Sequence, residues 1–154
     1  MEGAKAEVKE PYSIIIGDDQ VIFVLKDGIN GEEFNKTEGY INSFPGVSVY
    51  QCLYGQGVLA MQRNDHQGEA KEFKVVTLNT SRSVGVPAGW AMCLVNVGKT
   101  FLVVMANLDI DSKDIDSKPI FQKKGFAYYI VEKKGEVAFE QNPNYKLHPQ
   151  ITTE

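Results

Sequence analysis

The residue types that most often bind metals or act as nucleophiles are scarce in this chain. Its 154 residues include two histidines, His66 and His148, and two cysteines, Cys52 and Cys93. These numbers exclude a three-histidine metal site, an all-cysteine zinc site and a multi-disulfide scaffold. A mixed site fits the count, but the four residues are scattered, with no close pair of either type. We expect His66 at an exposed hairpin tip and His148 in a polar tail, both outside any catalytic centre.

An aspartate-rich repeat is the other group with possible chemistry. The sequence Asp-Ile-Asp-Ser-Lys occurs twice in tandem, at 109–113 and 114–118. Such a density of carboxylates could bind calcium, but the segment lacks the glycine at the sixth position and the terminal glutamate of an EF-hand loop. We therefore interpret it as a solvated loop. Around it, residues 110–121 are the one segment predicted to hold a helical turn.

The elements that must position these residues are predicted to be strands. Segments rich in β-branched residues recur about every 8 to 14 residues and are separated by Gly or Asn turn residues. This pattern is typical of an all-β sandwich or barrel. Strands are predicted at 12–16, 21–26, 47–54, 58–63, 71–78, 83–86, 92–97, 101–106, 126–132 and 136–139. We divide the chain into a polar leader at 1–11, one β domain at 12–140 and a polar surface tail at 141–154.

Charge and hydropathy limit which partners and which cellular compartment we expect for this chain. The chain has 16 basic and 20 acidic residues and a net charge of −4, which argues against a nucleic-acid partner. It has no apolar run of 18 residues, so we predict no membrane span. The first ten residues contain no apolar segment typical of a secretory signal. We therefore expect a cytoplasmic protein whose two thiols are free.

Two blocks of the sequence resemble the motifs of a known family. The first, at 49–57, ends in Gly-Gln-Gly and is similar to the strand and turn that close the first cupin motif. The second, Val-Pro-Ala-Gly-Trp-Ala-Met at 86–92 followed by Asn96, is similar to Pro-x-Gly-x-x-His-x-x-x-Asn, with Met92 in place of the histidine. Further blocks resemble the cupin-type phosphoglucose isomerases, at 31–34, 36–39, 124–126, 135–137 and 142–143. The resemblance implies an all-β, single-domain cupin barrel (a double-stranded β-helix or jelly roll) and a homodimer.

The resemblance also implies a metal site whose ligands are replaced here. In the family the metal is held by two histidines of a Gly-His-x-His sequence, a glutamate and the histidine of the second motif. The corresponding positions are Tyr40, Asn42, Ser48 and Met92, with Gly39 as the motif glycine. Residues 39–49 contain no His, Asp, Glu or Cys in any register, and neutral Asn and Ser oxygens alone bind first-row divalent ions too weakly. We therefore predict no metal and no other cofactor.

The base that the family uses for proton transfer is missing as well. That base is the family's glutamate, and Ser48 cannot replace it because a serine hydroxyl titrates far above physiological pH. Two weak candidates for catalysis remain. Glu38 is either a displaced general base at the barrel rim or a solvated acid in a turn. Tyr50 matches the family's interior tyrosine and would need Glu38 within hydrogen-bonding distance.

Ligand-binding candidates come from the resemblance and from strand parity. Thr37 and Gly39 match positions that contact the sugar phosphate in the family, and Asn107 with the aspartate repeat replaces residues of its late lid. Alternation along 47–54 places Ser48, Tyr50, Cys52 and Tyr54 on one face. We interpret Cys52 and Met92 as volume-filling residues in preference to a copper(I) pair. The candidates are Thr37, Gly39, Tyr40, Asn42, Ser48, Tyr50, Cys52, Met92 and Asn107.

Three functions stay open from the sequence. The leading one is a degenerate, metal-free cupin related to glucose-6-phosphate isomerases that binds a small polar or sugar-like ligand without the isomerase chemistry. The alternative is a sugar or sugar-phosphate isomerase or epimerase that moves a proton without a metal. The third is an interaction module whose barrel is filled. An interior ligand site should leave a cavity of roughly 300 Å³ or more, so the volume inside the barrel discriminates between them.

Overall fold

A computed structural model describes residues 11–154, so the predicted leader lies outside the described residues except for Pro11. This part of the chain forms fifteen strands and one five-residue helix, α1 (Lys118–Gln122). No helix within it is long and apolar enough to cross a membrane. The strands are β1 (Tyr12–Gly17), β2 (Gln20–Leu25), β3 (Ile29–Asn30), β4 (Glu33–Phe34), β5 (Tyr40–Asn42), β6 (Val47–Tyr54), β7 (Gly57–Asn64), β8 (Ala70–Leu78), β9 (Ser83–Pro87), β10 (Ala91–Val95), β11 (Leu102–Ala106), β12 (Ile115–Asp116), β13 (Tyr128–Lys133), β14 (Glu136–Gln141) and β15 (Ile151–Thr153).

The strands form three sheets. The first sheet has the order β1-β2-β11-β6-β9, the second β12-β5-β10-β7-β8-β15, and the third β14-β13-β4-β3. Phe23 and Val104 of the first sheet share one apolar cluster with Leu59 and Leu94 of the second. These two sheets therefore pack face to face, as in a cupin or jelly-roll sandwich, and the space between them is the barrel interior.

The second sheet is covered on both faces. Its outer face carries Ala60, Phe73 and Cys93, which pack against Ile120 of α1 and Phe126 in a second apolar cluster. Burial on both faces explains why the first six residues of β7 are all buried. Among residues 11–154, no segment covers the outer face of the first sheet in this way, and Val47, Val49 and Leu53 are exposed on it.

All ten predicted strands are confirmed, with each end within two residues of its predicted position. The helical turn expected within 110–121 is the segment at 118–122, which begins with Pro119 in its first turn. The sequence analysis missed β3, β4, β5, β12 and β15. Each has only two or three residues, too few for an alternation pattern to be recognised.

The C-terminal tail differs from the prediction of a polar surface segment. Asn142 and Tyr145 are buried, and β15 extends the second sheet by pairing in parallel with β8. The amide of Asn142 donates to the carbonyls of Lys123 and Phe126, each at 2.9 Å. A polar tail can therefore be part of the interior when its side chains satisfy buried backbone groups.

Candidate functional site

Two tyrosines occupy the centre of the barrel. Tyr40 on β5 and Tyr50 on β6 come from opposite sheets, and their hydroxyl oxygens lie 2.7 Å apart in a hydrogen bond. Tyr50 has no accessible surface and Tyr40 is 5% exposed. Burial raises the pKa of both hydroxyls well above the usual range, so both are neutral at physiological pH. The pair links the two sheets and presents no base to a ligand.

The rest of the interior is packed with side chains. Cys52 has no accessible surface and Met92 is 2% exposed. The thiol of Cys52 lies 3.6 Å from the carbonyl oxygen of Tyr54 and 3.7 Å from that of Gly55, and burial raises its pKa. Strand parity predicted that Tyr50 and Cys52 face the interior, and Cys52 and Met92 were interpreted as volume-filling residues. In the structure, aromatic and sulfur-containing side chains fill this volume, and a ligand cannot reach it without repacking.

Strand parity holds along β6 only as far as Cys52. The register between β11 and β6 shifts at Val103 and Val104, which pair with Tyr54 and Cys52. Leu53 is therefore an extra residue on β6, and such a bulge reverses the side-chain alternation beyond it. As a result Tyr54, which was expected to face the interior, is 55% exposed.

The four positions at which the family resemblance places metal ligands do not fit a divalent ion. Asn42 donates from Nδ2 to Ser48 Oγ at 3.0 Å and accepts at Oδ1 from the amide of Phe44 at 3.0 Å. Tyr40 is bonded to Tyr50, and Met92 is in the core. These donors are neutral and already partnered, so they supply no charge for a first-row metal. Among residues 11–154, no three His, Cys, Asp or Glu side chains lie together as a possible metal site.

A cavity of about 480 Å³ opens at the end of the barrel, and we call it the mouth pocket. It contains three of the predicted ligand-binding residues, Asn42, Ser48 and Asn107. Among residues 11–154, no lysine or arginine lines it. The other lining residues, which the sequence analysis did not select, are Asp19, Phe44, Pro45, Gly46, Val47, Leu108, Asp109, Ser112 and Asp114.

The aspartate repeat forms one wall of the mouth pocket. Asp109 accepts at Oδ1 from the amide of Asp111 at 3.1 Å, and β12 within the repeat pairs with β5. Asn107 fixes the start of this loop, because its Oδ1 accepts from the amide of Val49 on β6 at 2.8 Å. The loop was interpreted as solvated, and Asp109 and Asp111 are exposed. Its Asx turns and its strand pairing, however, hold it against the barrel.

The three remaining candidates, Thr37, Gly39 and Glu38, do not line the mouth pocket. The hydroxyl of Thr37 accepts from the amide of Leu94 at 3.0 Å, so it is used within the fold. A side-chain carbon at Gly39 would lie 2.5 Å from the ring of Phe126, on the outer side of the second sheet. Glu38 is exposed, and the partner of the Tyr50 hydroxyl is Tyr40. The pairing of Glu38 with Tyr50 that catalysis would require is therefore not formed.

The histidines and cysteines lie where the sequence analysis places them. His66 is exposed in the turn between β7 and β8. His148 is half-buried in the tail, with Nε2 2.8 Å from the carbonyl oxygen of Asn142. Cys52 and Cys93 are free, buried thiols. Neither histidine is part of the apolar cluster that fills the barrel.

Residues 10–148 match the family model described as glucose-6-phosphate isomerase (GPI). The chain belongs to this family. The glucose-6-phosphate isomerases of Pyrococcus furiosus and Thermococcus kodakarensis are each 30% identical to it, over 124 and 125 residues. Both alignments cover 80% of this chain and 62% of the relative, so the chain matches less than two thirds of these relatives' length.

Solved structures with cupin-type folds give partial likenesses. The Drosophila melanogaster CENP-C cupin domain is 8% identical, with a TM-score of 0.45 over 62% of this chain and 73% of that one. A Klebsiella pneumoniae protein with a double-stranded β-helix domain is 12% identical, with a TM-score of 0.41 over 62% and 71%. At these scores neither likeness carries a functional implication.

The motif residues that this member of the glucose-6-phosphate isomerase family retains have structural roles. Gly89 adopts a φ of +86°, and its amide donates to the carbonyl of Asn42 at 2.9 Å. The buried Asn96 donates from Nδ2 to the carbonyls of Leu25 and Thr100 at 3.2 and 2.9 Å. These contacts tie the turn of the second motif to β5 and the end of β10 to β2. They hold the second motif within the fold.

Proposed function

We propose that this chain is a metal-free member of the glucose-6-phosphate isomerase family that binds a small polar ligand in the mouth pocket without isomerase chemistry. The observation that carries this proposal is the packed Tyr40–Tyr50 pair. It occupies the barrel centre, where the resemblance places the metal and the substrate. Aldose–ketose isomerisation needs a base that removes a proton from carbon. Tyr50 is protonated there, and Glu38 is exposed at a distance from it.

The lining of the mouth pocket supports a ligand that carries no phosphate. Asn42, Ser48 and Ser112 offer amide and hydroxyl groups, while Asp19 and Asp114 add negative charge with no cation among the lining residues. Such a pocket repels phosphate and favours neutral polyhydroxy compounds or those bearing an amine. Its volume of about 480 Å³ lies within the range of small-molecule sites.

The catalytic part of the proposal is tested by assaying the purified chain with glucose 6-phosphate and fructose 6-phosphate. The assay is run with added Mn²⁺, with added Fe²⁺ and with chelator. We expect no turnover above the protein-free blank in any condition. Turnover that chelator abolishes would refute the proposal in favour of a metal-dependent isomerase. Turnover that resists chelator but falls in Glu38→Gln would support the metal-independent isomerase instead.

The binding part is tested with glucosamine, glucose and glucose 6-phosphate as probes, followed by the methyl NMR signals of Leu108, which lines the mouth pocket. We expect glucosamine to bind most tightly and glucose 6-phosphate to show no saturable shift. Asp114→Asn should weaken the binding of glucosamine about three- to tenfold, which is the effect expected from one partly exposed charge. Asp111→Asn, in the same loop but outside the lining, is the matched control. Tightest binding of glucose 6-phosphate would contradict the proposed selectivity.

We further propose that the partner of this chain is a second copy, packed on the outer face of the first sheet. The strand register places apolar side chains side by side on this face, and no charged residue points outward from β1, β2, β6 or β11. A face of four strands, about 4.8 Å apart and six residues long, covers roughly 400 Å² in projection. This is about half of what one partner of a standard interface buries.

A further inference from the structure

A second cavity lies outside the barrel, on the opposite side of the second sheet from the tyrosine pair. It measures about 560 Å³ and lies between α1 with the turn that follows it on one side and residues 36–39 with Cys93 of β10 on the other. We call it the α1 groove. Thr37 and Glu38 contribute to its lining, but none of the mouth-pocket residues does. The function proposed above makes no use of this cavity.

The floor of the α1 groove is apolar. Cys93, Ile120 and Phe126 form it and are 3–5% exposed. Burial raises the pKa of the Cys93 thiol to about 12, so the thiol is neutral and behaves as an apolar surface. Gly39 leaves the space beside Phe126 free, since any side chain there would collide with the ring.

The rim of the groove combines an exposed aromatic ring with positive charge. Phe121 is 72% exposed, the largest exposure among the apolar side chains reported for residues 11–154. Lys36 and Lys124 line the cavity with one acid, Glu38, whereas acids line the mouth pocket without any cation. The ammonium group of Lys36 forms an ion pair with the carboxylate of Glu33, whereas Lys124 is exposed. The cationic end of the groove is therefore at Lys124.

We propose that the α1 groove binds an amphipathic anion, namely an acyl or aryl carboxylate. Its hydrocarbon part lies on the floor of Cys93, Ile120 and Phe126 under the ring of Phe121, and its carboxylate faces Lys124. Burial of the apolar part against this floor supplies most of the affinity, and the lysine discriminates the acid from the neutral analogue. The site is independent of the ligand proposed for the mouth pocket.

Octanoate and 1-octanol are the probes that test this site, because they share a chain and differ in charge. Titration of the labelled full chain is followed by the methyl signals of Ile120 in the groove and Leu108 in the mouth pocket. We expect saturable shifts at Ile120, none at Leu108, and at least fivefold tighter binding of octanoate. Shifts confined to Leu108, or equal affinity for the two probes, would overturn the proposal.

Two substitutions of exposed residues separate the two parts of the site. Phe121→Ala should weaken both probes about tenfold, because it removes the aromatic cover. Lys124→Glu should weaken octanoate at least fivefold and leave octanol unchanged. Phe101→Ala is the matched control, since Phe101 is 50% exposed and does not line the groove. If Phe121→Ala behaves like this control, or Lys124→Glu weakens both probes equally, the assignment is wrong.

Discussion

At the scale of single residues, the chemistry of the barrel depends on what each retained side chain bonds to. Tyr50 matches an interior tyrosine of the family, and the sequence predicts its inward direction correctly. Its partner is Tyr40, at a position where the resemblance implies a metal-binding histidine. That pairing depends on two strands in different sheets and cannot be deduced from the spacing of residues along the chain. Tyr50 is therefore an uncharged, packed side chain in this barrel.

Removing either hydroxyl of the tyrosine pair should cost more than half of the stability that is lost when both are removed. Tyr40→Phe or Tyr50→Phe leaves the other hydroxyl buried without a partner, so each is expected to lower the free energy of unfolding by about 1–3 kcal/mol. The double variant should lose clearly less than the sum of the two, measured by urea denaturation. Tyr54→Phe, at an exposed tyrosine, should stay within about 0.5 kcal/mol of the parent. Additive single effects would show that the two hydroxyls are not coupled.

At the scale of elements, a continuous apolar run between turn residues predicts a strand that is buried on both faces, such as β10. Alternation predicts strands with one buried and one more exposed face, such as β2. It fails for the two- and three-residue strands, and it fails beyond Cys52, where the bulge inserts Leu53. The tail illustrates a third limit. Its polar composition predicts a surface segment, but Glu69 accepts at Oε1 from the amides of Lys146 and Leu147, at 2.8 and 3.0 Å. The tail is ordered by hydrogen bonds to residues that are remote in sequence.

The attachment of the tail through Glu69 should be sensitive to acid. Its Oε2 pairs with Lys123 at 2.8 Å, and this contact with the two amides lowers the pKa of Glu69 to about 2, from 4.5. Because the folded-state pKa is depressed, the stabilisation is complete above about pH 4.5 and is lost as the pH falls towards 2. The protection factors of the Lys146 and Leu147 amides, which correct for the pH dependence of intrinsic exchange, should fall over this range. Glu69→Gln should remove that pH dependence, because glutamine does not titrate.

A carboxylate in a surface ion pair provides the control for this experiment. Glu72 pairs with Arg63 and its side chain is 49% exposed. Glu72→Gln should leave the acid dependence of exchange at Lys146 and Leu147 unchanged. Equal loss of the dependence in Glu69→Gln and Glu72→Gln would contradict the role assigned to Glu69.

At the scale of the whole molecule, both faces of the second sheet are covered within the part of the chain that the structure describes, whereas only one face of the first sheet is. The third sheet and α1 cover the second sheet, while the outer face of the first sheet stays apolar and open. Segments 101–106 and 126–131 are both rich in apolar residues that could serve either the barrel core or a dimer. The structure separates them: Ile130 and Val131 are buried within the chain, whereas Val103 and Met105 belong to the open face.

The proposed dimer should dissociate when a charge is placed in the open face. Ile15 is 57% exposed on β1, the edge strand of the first sheet, so Ile15→Lys should not disturb the core. In a dimer, however, the substitution would bury a charge against the second copy. Sedimentation analysis should find a dimer for the parent and at least a tenfold weaker association for Ile15→Lys. Val137→Lys changes a similarly exposed apolar residue on the third sheet and should remain dimeric. A monomeric parent at micromolar concentration would refute the dimer.

The sequence by itself determined the fold class, the ten longer strands and the family, because alternation and motif turns are local properties of the chain. It also determined that the positions at which the resemblance places metal ligands carry neutral side chains. The tertiary structure decided that the barrel is packed and that the predicted ligand residues divide between the core, the mouth pocket and the outer side of the second sheet. Packing density and the partner of each hydroxyl depend on contacts between strands that are distant in sequence, and no local pattern records them.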